Sequence, residues 1–317
     1  MSFLSQIYHI VFLVYSWVLA CAVIEIIFLL SPDRRVIKYQ CERGSLPEAL
    51  NLDLIVMKKG EHMSIGRELS EEFKSLLRLR TEPVAFRRLE KAEDLGKVSN
   101  VVRMKRGFTY CQVPFLVRVL GQTVGITKDD PIGDRCSRLH GLRPATEKSM
   151  QREAEMLSLT WFANPEEALR QQQETPRIPV ADAIIAAPLS KEKFDPEVVS
   201  IYANPAQIMM ILCGLQKEKY ERFPFFFIGE GACADSLAQC YESGKPAVAI
   251  PCYGERAMGQ VADDEIVIAL PESELNRAIS GIKKLGKIGF KYPIAFIGGL
   301  ADPTPILAQF YPNLGKK

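Results

Sequence analysis

Histidine is nearly absent from this chain of 317 residues, which contains only His9, His62 and His140. Zinc sites built on several histidines, and nucleophile pairs of the Cys–His or Ser–His type, depend on this residue. His9 falls in an apolar N-terminal run and His62 in a polar connector, so His140 alone is placed to serve the body of the protein. The scarcity of histidine therefore argues against both classes of site.

The chain also lacks an excess of either charge. Its 40 Lys and Arg residues and 38 Asp and Glu residues give a net charge of +2. We therefore expect no basic surface of the kind that binds nucleic acid, and we predict no nucleic-acid partner. Hydrophobic residues make up 47% and charged residues 25% of the chain, a globular composition that excludes a disordered or fibrous protein.

Cysteine is present but sparse. Eight cysteines are too few for a disulfide scaffold in a chain of this length, and no two of them form a CxxC pair. This usage is typical of free thiols in a reducing compartment, which places the body of the protein in the cytoplasm.

The N-terminus carries an apolar run from Ile7 to Leu30. A helix over residues 7–30 would reach about 36 Å at about 1.5 Å per residue, which is enough to cross a bilayer. Arg34, Arg35 and Lys38 follow the run and no positive charge precedes it. This asymmetry predicts a single-pass membrane anchor with the body on the cytoplasmic side.

The segment from Lys58 to Met63 supports a second interpretation of the same region. Its residues back-translate to codons that can contain GGAGA or GGGGA just before an ATG, which is typical of a bacterial ribosome-binding site. Met63 would then be the true start, residues 1–62 would be upstream sequence, and the protein would be soluble. An amphipathic helix opens directly after it, at residues 64–69. Both interpretations stay open.

Several features recur in the same order in two stretches of the body, which predicts an internal duplication. Each stretch contains a strand, a strand-like segment that ends at a cysteine, a helix closed by glycine, a second strand, a second cysteine and a last strand. The first stretch has these at residues 82–89, 107–111, 112–121, 123–126, 136 and 182–188. The second has them at residues 196–203, 225–233, 234–244, 247–250, 252 and 264–271.

This pattern predicts an α/β fold, with a mixed α+β arrangement as the alternative. Two strand–helix–strand halves, residues 64–195 and 196–290, would be related by a pseudo-twofold axis. An insertion at about residues 142–179 would add two helices to the first half, and residues 291–317 would form a C-terminal arm. The expected equivalences are Val84 with Val198, Cys111 with Cys233, and Ile126 with Ile250.

Four cysteines occupy matching places in the two halves. Cys111 and Cys233 stand where a helix begins, and Cys136 and Cys252 follow a strand. Helix starts favour thiolate because their backbone N–H groups are unpaired. A pseudo-twofold would bring all four cysteines to one cleft, where four thiolates are the ligand set of a zinc ion or an iron–sulfur cluster. The alternative is four structural free thiols.

The same loops carry residues suited to a small anion or an anionic substrate. One arginine follows the second cysteine of each half, and a histidine lies near the first of these arginines. Glycine-rich turns leave backbone N–H groups unpaired. These candidates are Arg138, Arg256, His140, Gly229, Gly231 and Gly254. Arg256 is expected to point into the cleft, since a group of negative sulfurs needs a counter-charge.

The chain resembles one family over about residues 64–290, the "domain of unknown function 169" proteins of bacteria and archaea. The resemblance rests on residues 79–85, on Cys111-Gln112, on residues 196–199 with Asn204-Pro205, and on residues 252–256 and 264–271. It implies a soluble domain, which favours the start at Met63, and it supplies no reaction.

Two functions stay open from the sequence. The first is a cysteine-based metal or iron–sulfur redox protein with its site between the two halves. The second is a non-catalytic module that binds a small anion and keeps its thiols for structure. A small molecule or anion is the expected partner, and a membrane is contacted only through residues 7–30.

Overall fold

The computed structural model describes residues 65–217, 219–223, 225–295 and 308. The predicted anchor at residues 7–30, the proposed start at Met63 and most of the C-terminal arm lie outside these residues. Within the described part of the chain, no helix combines the length and the apolar character that a bilayer crossing requires.

A seven-stranded mixed sheet organises the described residues, and the predicted α/β fold class is confirmed. The strands are β1 (Val84–Leu89), β2 (Val101–Val102), β3 (Thr123–Thr127), β4 (Ala183–Pro188), β5 (Val198–Ala203), β6 (Ala247–Ala249) and β7 (Ile266–Pro271). Their order in the sheet is β2-β3-β4-β1-β5-β7-β6. The β2–β3 pair is parallel, and the other neighbours are antiparallel.

Helices connect these strands and cover both faces of the sheet. They are α1 (Ile65–Leu77), α2 (Gln112–Arg118), α3 (Asp134–Leu139), α4 (Glu147–Ser158), α5 (Pro165–Glu174), α6 (Pro205–Gln216), α7 (Gln239–Ser243), α8 (Tyr253–Ala257) and α9 (Glu272–Lys287). A π-helical segment, Ala234–Ala238, runs directly into α7. Helices α4 and α5 are the two predicted in the insertion.

Local sequence explains where the helices begin and end. Asn204 caps α6, accepting from the Gln207 N–H while the Gln207 side chain accepts from the Asn204 N–H, and Pro205 fills the first turn. Gly244 ends α7 with φ of 64°, and Gly121 follows α2 with φ of 65°. Both glycines take the left-handed conformation predicted for a C-terminal cap.

The sheet separates two hydrophobic cores because successive side chains of a strand point to opposite faces. In β1, Val84 and Phe86 enter the first core and Ala85 enters the second. Helix α2 and the π segment contribute to the first core, whereas α1, α6 and α9 cover the second. The two halves of the sheet are therefore held in one body with helices on both sides.

Helices α6 and α9 approach each other closely at a pair of glycines. A Cβ atom on Gly281 would lie 1.9 Å from the Gly214 carbonyl oxygen. The close packing of the two helices over the second core therefore requires glycine at position 281.

Two strands flank the central β1–β5 pair in matching order on each side, and β2 continues the sheet on one side only. Strands β4 and β3 follow β1 on one side, and β7 and β6 follow β5 on the other. In the β1–β5 pair, Val84 lies opposite Ser200 and Phe86 opposite Val198. If Val84 is equivalent to Val198 and Phe86 to Ser200, exchanging the two strands gives the same pairs. This arrangement is compatible with the predicted duplication, which we keep as a hypothesis.

One expected equivalence needs correction by one residue. Ile126 lies in β3 opposite Ile184, whereas Ile250 lies beyond the end of β6 and is 45% exposed. Ala249 is the β6 residue in the matching place, opposite Val267. The similarity of the two isoleucines suggested the wrong register because the sheet, not the side-chain type, fixes the alignment.

The two strand-like segments predicted before Cys111 and Cys233 are also wrong. Each forms an isolated bridge instead of a strand, Phe108 with Ile132 and Phe225 with Val248. In the second segment, Phe225, Phe226 and Phe227 are all more than half exposed, so their apolar character does not reflect burial in a sheet.

Candidate functional site

Four cysteines line one cavity of about 500 Å³ on the side of the first core. Cys111 and Cys136 come from the first predicted half, and Cys233 and Cys252 from the second. All four are free thiols. The cavity is therefore built from segments distant in sequence, with Cys136 in α3 and the other three cysteines directly before helices, and the cysteines are its main nucleophilic groups.

Cys252 is the cysteine held as a thiolate. It precedes α8 with an extended backbone (φ −74°, ψ 172°), and the backbone N–H groups of Ala232, Glu255 and Gly254 favour its thiolate form. The thiol of Cys111 donates a further hydrogen bond to it. These donors, led by Cys111, outweigh burial and lower the pKa of Cys252 to about 5.

The sequence pattern predicted the thiolates at Cys111 and Cys233 instead, and this prediction is wrong. Both residues precede a helix with backbone angles that are already helical, φ −52°, ψ −29° for Cys111 and φ −68°, ψ −25° for Cys233, whereas Cys252 is extended. A capping side chain reaches the backbone N–H groups only from an extended residue. Burial raises the pKa of Cys233, and so do Glu255 and Cys252, both of which are ionised at the high pH at which Cys233 would lose its proton.

Cys111 is the neutral partner of Cys252. Its pKa is raised, first by the hydrogen bond that it donates to Cys252 and then by burial. A Cβ atom on Gly254 would lie 3.2 Å from the Cys111 sulfur and 3.8 Å from the Cys252 sulfur, so the glycine leaves room for the sulfur pair. The pair therefore favours the thiolate at Cys252 and the neutral thiol at Cys111.

A buried carboxyl lies behind this pair. Glu255 is 1% exposed; its Oε1 accepts from the Tyr202 hydroxyl at 3.1 Å, and its Oε2 has no hydrogen-bond partner among the described residues. Burial, followed by the charge of Cys252, raises the pKa of Glu255 to about 8 against the opposing effects of Tyr202 and Arg118. Glu255 is therefore neutral at physiological pH.

Two arginines and two glutamates form the polar wall of the cavity. Arg135 forms ion pairs with Glu153 and Glu230, and Arg138 also pairs with Glu153. Gln171 donates to Glu230 at 2.8 Å. Each of the two buried glutamates is thus neutralised, and the wall is held rigidly by ion pairs and hydrogen bonds.

His140 lines the same cavity as a neutral acceptor. Its Nδ1 lies 2.8 Å from the Cys136 carbonyl oxygen, to which it donates, and its ring stacks on Tyr110 with 3.5 Å between centroids. Burial lowers the pKa of His140 to about 3. Nε2 is buried and has no hydrogen-bond partner among the described residues, so it can accept from a bound molecule.

Not every predicted anion-binding residue reaches the cavity. Arg138, Gly231 and Gly254 line it together with His140. The prediction that Arg256 points into the cleft is wrong, because its guanidinium turns to the following loop, donating to the Ala262 carbonyl at 2.7 Å and pairing with Asp263. Gly229 also lies outside the lining, at a turn with φ of 91°.

The mouth of the cavity is apolar, which the sequence analysis missed. Trp161 and Tyr253 are both more than half exposed, and their ring centroids are 5.9 Å apart. Met156 and Met258 line the cavity beside them. The cavity therefore offers an apolar entrance and a polar, thiol-bearing interior.

The charged wall was also missed, although two local signals pointed to it. Arg135 immediately precedes Cys136, and Glu230 stands between the two glycines of the loop that leads to Cys233. Glu153 gave no such signal, because only the packing of α4 against α3 brings it to Arg138.

The described residues contain no group of three or more His, Cys, Asp or Glu side chains arranged to hold a metal ion. The four cysteines share a cavity, but they do not converge on one point as the ligands of a zinc ion do.

A family model described as DUF169, uncharacterised ArCR, matches residues 72–281. No curated protein and no solved structure matches the chain.

Proposed function

Since the chain belongs to the DUF169 family, whose description gives no activity, we propose its function from the site itself. We infer a cysteine-based redox protein in which Cys252 attacks as a thiolate and Cys111 acts as the second, resolving thiol. The observation that carries this proposal is the proximity of the two sulfurs, which lie 3.2 Å (Cys111) and 3.8 Å (Cys252) from a Cβ position on Gly254, in a cavity of about 500 Å³.

Thiolate character supports Cys252 as the nucleophile. The thiolate is the reactive form of cysteine, and three backbone N–H groups with one thiol hold Cys252 in that form at neutral pH. A thiol that serves only packing gains nothing from four hydrogen-bond donors. His140 Nε2 would accept a hydrogen bond from the substrate.

The proposed reaction is the reduction of a disulfide, RS–SR′. The Cys252 thiolate attacks one sulfur and the S–S bond breaks. R′S⁻ departs, and the RS group remains on Cys252 as a mixed disulfide. Cys111 passes its proton to R′S⁻ and attacks the Cys252 sulfur, which releases RS⁻ and forms a Cys111–Cys252 disulfide. Two electrons move from the two cysteines to the substrate, which leaves as RS⁻ and R′SH.

The metal-based form of cysteine chemistry is the second candidate, because four cysteines line one cavity. An iron–sulfur cluster or a zinc ion would need sulfurs from at least three of them around one centre. The absence of such a group among the described residues favours the thiol mechanism. Binding of a small anion without catalysis is the remaining alternative.

The test is oxidation of the reduced protein by one equivalent of a small aliphatic disulfide, followed by peptide mapping without reduction. We expect a peptide that joins Cys111 to Cys252, and we expect Cys252→Ser to abolish it. Cys111→Ser should instead accumulate the mixed disulfide on Cys252. Cys213→Ser is the matched control, since this half-buried residue of α6 does not line the cavity.

Two results would overturn the proposal. The first is a Cys252 that reacts no faster than Cys213 at neutral pH, which would favour the non-catalytic alternative. The second is iron or zinc at about one atom or more per chain in anaerobically purified protein, lost in Cys252→Ser, which would favour the metal centre.

A further inference from the structure

A second concave surface, rich in arginine, adjoins the cysteine cavity. It consists of two neighbouring cavities, of about 610 and 500 Å³, that share Arg138, Arg143 and Pro144. Arg152 and Lys148 line the first of them and Arg177 the second. We call this surface the arginine groove. The proposed thiol reaction makes no use of it.

The charges around the groove do not balance. Four arginines line the groove, Arg138, Arg143, Arg152 and Arg177, against Asp134 in the lining and Glu153, which pairs with Arg138. Lys148 and Glu155 add one charge of each sign to the lining. The cluster therefore keeps an excess of two positive charges, which attracts a dianion.

Arg177 contributes most clearly to this excess. It is half-buried, and none of the described carboxylates forms an ion pair with it. Its guanidinium donates to the carbonyl oxygens of Thr175 at 2.9 Å and Gln172 at 2.6 Å. Burial, followed by the charges of Arg135 and Arg138, lowers its pKa against the opposing effect of Glu153. A cation held by carbonyl oxygens, with no carboxylate of its own among the described residues, can receive an anion.

Arg143 is held in a similar way on the other side of the groove. It donates to the Lys128 carbonyl at 2.9 Å, and its other terminal nitrogen lies 3.4 Å from an Asp134 carboxylate that Arg138 and Arg152 also contact. One carboxylate shared by three arginines leaves guanidinium N–H groups free for a ligand.

The groove is continuous with the cysteine cavity. Asp134, Arg138 and Arg152 line both the cavity and the larger part of the groove. A single elongated molecule can therefore place one end at the sulfur pair and the other among the arginines.

We propose that the arginine groove binds a terminal phosphomonoester of the substrate whose disulfide is reduced at Cys252. A phosphomonoester carries nearly two negative charges at neutral pH, which matches the excess of two positive charges, and its three oxygens suit several guanidinium groups. The inference rests on the proposed function, and it assigns the substrate class as an anionic, phosphate-bearing disulfide with an apolar middle that fits the aromatic mouth.

The experiment compares two aliphatic disulfides that differ at one end, a phosphomonoester or a hydroxyl, as oxidants of the reduced protein. We expect the phosphorylated compound to react at least tenfold faster at low concentration, and inorganic phosphate to remove that advantage. Arg143→Gln and Arg177→Gln should each lower the ratio of the two rates about tenfold, as loss of a charge-assisted hydrogen bond does. Arg170→Gln is the matched control, because it removes one exposed, paired arginine of α5 outside the groove.

Binding of phenyl phosphate, followed by calorimetry, separates the two proposals. If phenyl phosphate binds and Arg177→Gln weakens it while Cys252 is unreactive, the anion site stands and the thiol reaction fails. If both disulfides react equally and phosphate has no effect, the anion site fails and the thiol reaction stands. Equal decreases of the rate ratio in Arg170→Gln and Arg177→Gln would also overturn the anion site, since such decreases would reflect net charge alone. Arg177→Lys, which keeps the charge, covers the case in which Arg177→Gln does not fold.

Discussion

Replacement of Cys111 by alanine removes the thiol that donates a hydrogen bond to the Cys252 sulfur. A hydrogen bond to a charged group contributes about 1.5–3 kcal/mol, and one pKa unit corresponds to about 1.4 kcal/mol. The pKa of Cys252, about 5 in the native protein, should therefore rise by about one to two units. At pH 6 its thiolate fraction should fall from about nine-tenths to between about one-half and one-tenth.

The assay is alkylation of Cys252 by iodoacetamide as a function of pH, quantified by peptide mass spectrometry. We expect Cys111→Ala to slow the reaction about two- to tenfold at pH 6 and to approach the native rate at pH 8.5, where both proteins are ionised. Cys111→Ser keeps a hydroxyl donor and should retain a low pKa, although it cannot form the disulfide. Cys136→Ala controls for a cavity thiol that is not bonded to Cys252. An unchanged pH profile in Cys111→Ala would refute the role assigned to the pair.

Two further predictions concern stability. The first is Glu255→Gln, with the free energy of unfolding measured in urea between pH 5.5 and 7.5. Relative to the native protein, it should rise by about 1.4 kcal/mol per pH unit. The reason is that the buried carboxyl of the native protein, with a pKa of about 8, destabilises the folded state as the pH rises. Parallel pH curves would contradict this. Gly281→Ala should lower the free energy of unfolding by about 1–3 kcal/mol, since its methyl group would meet the Gly214 carbonyl at 1.9 Å. Gly286→Ala, in the same helix with nothing within 4 Å, should not destabilise the protein, and equal losses in both variants would rule out the close contact as the cause.

Much of the fold could be predicted from local signals. The Asn204-Pro205 cap, the glycines that end helices and the alternation of apolar residues each act within one element, so the sequence contains them directly. The register of β6 could not be predicted in this way, because Ala249 and Ile250 are both apolar and only pairing with β7 distinguishes them.

The four cysteines that line the cavity could be predicted from the sequence, but their ionisation states could not. The order of the elements grouped the four cysteines, although Cys136 lies within α3 and Cys252 precedes α8, and the ionisation state of each depends on the backbone angles of single residues. Cys252 is extended and Cys111 is helical, a difference of one ψ angle that decides which sulfur meets backbone N–H groups. Arg256 was misassigned for a related reason, since the short α8 directs it to the Ala262 carbonyl.

Cys252 and Glu255 lie on one turn of the chain, and folding exchanges their protons. In an unfolded chain near pH 6.5, a cysteine keeps its proton and a glutamate has lost it. In the native protein the pKa of Cys252 is about 5 and that of Glu255 about 8, so near pH 6.5 the sulfur is deprotonated and the carboxyl is protonated. Folding therefore transfers one proton from sulfur to oxygen and exchanges none with the solvent through this pair. Between about pH 5 and 8 the opposite effects of Cys252 and Glu255 on the pH dependence of folding therefore cancel.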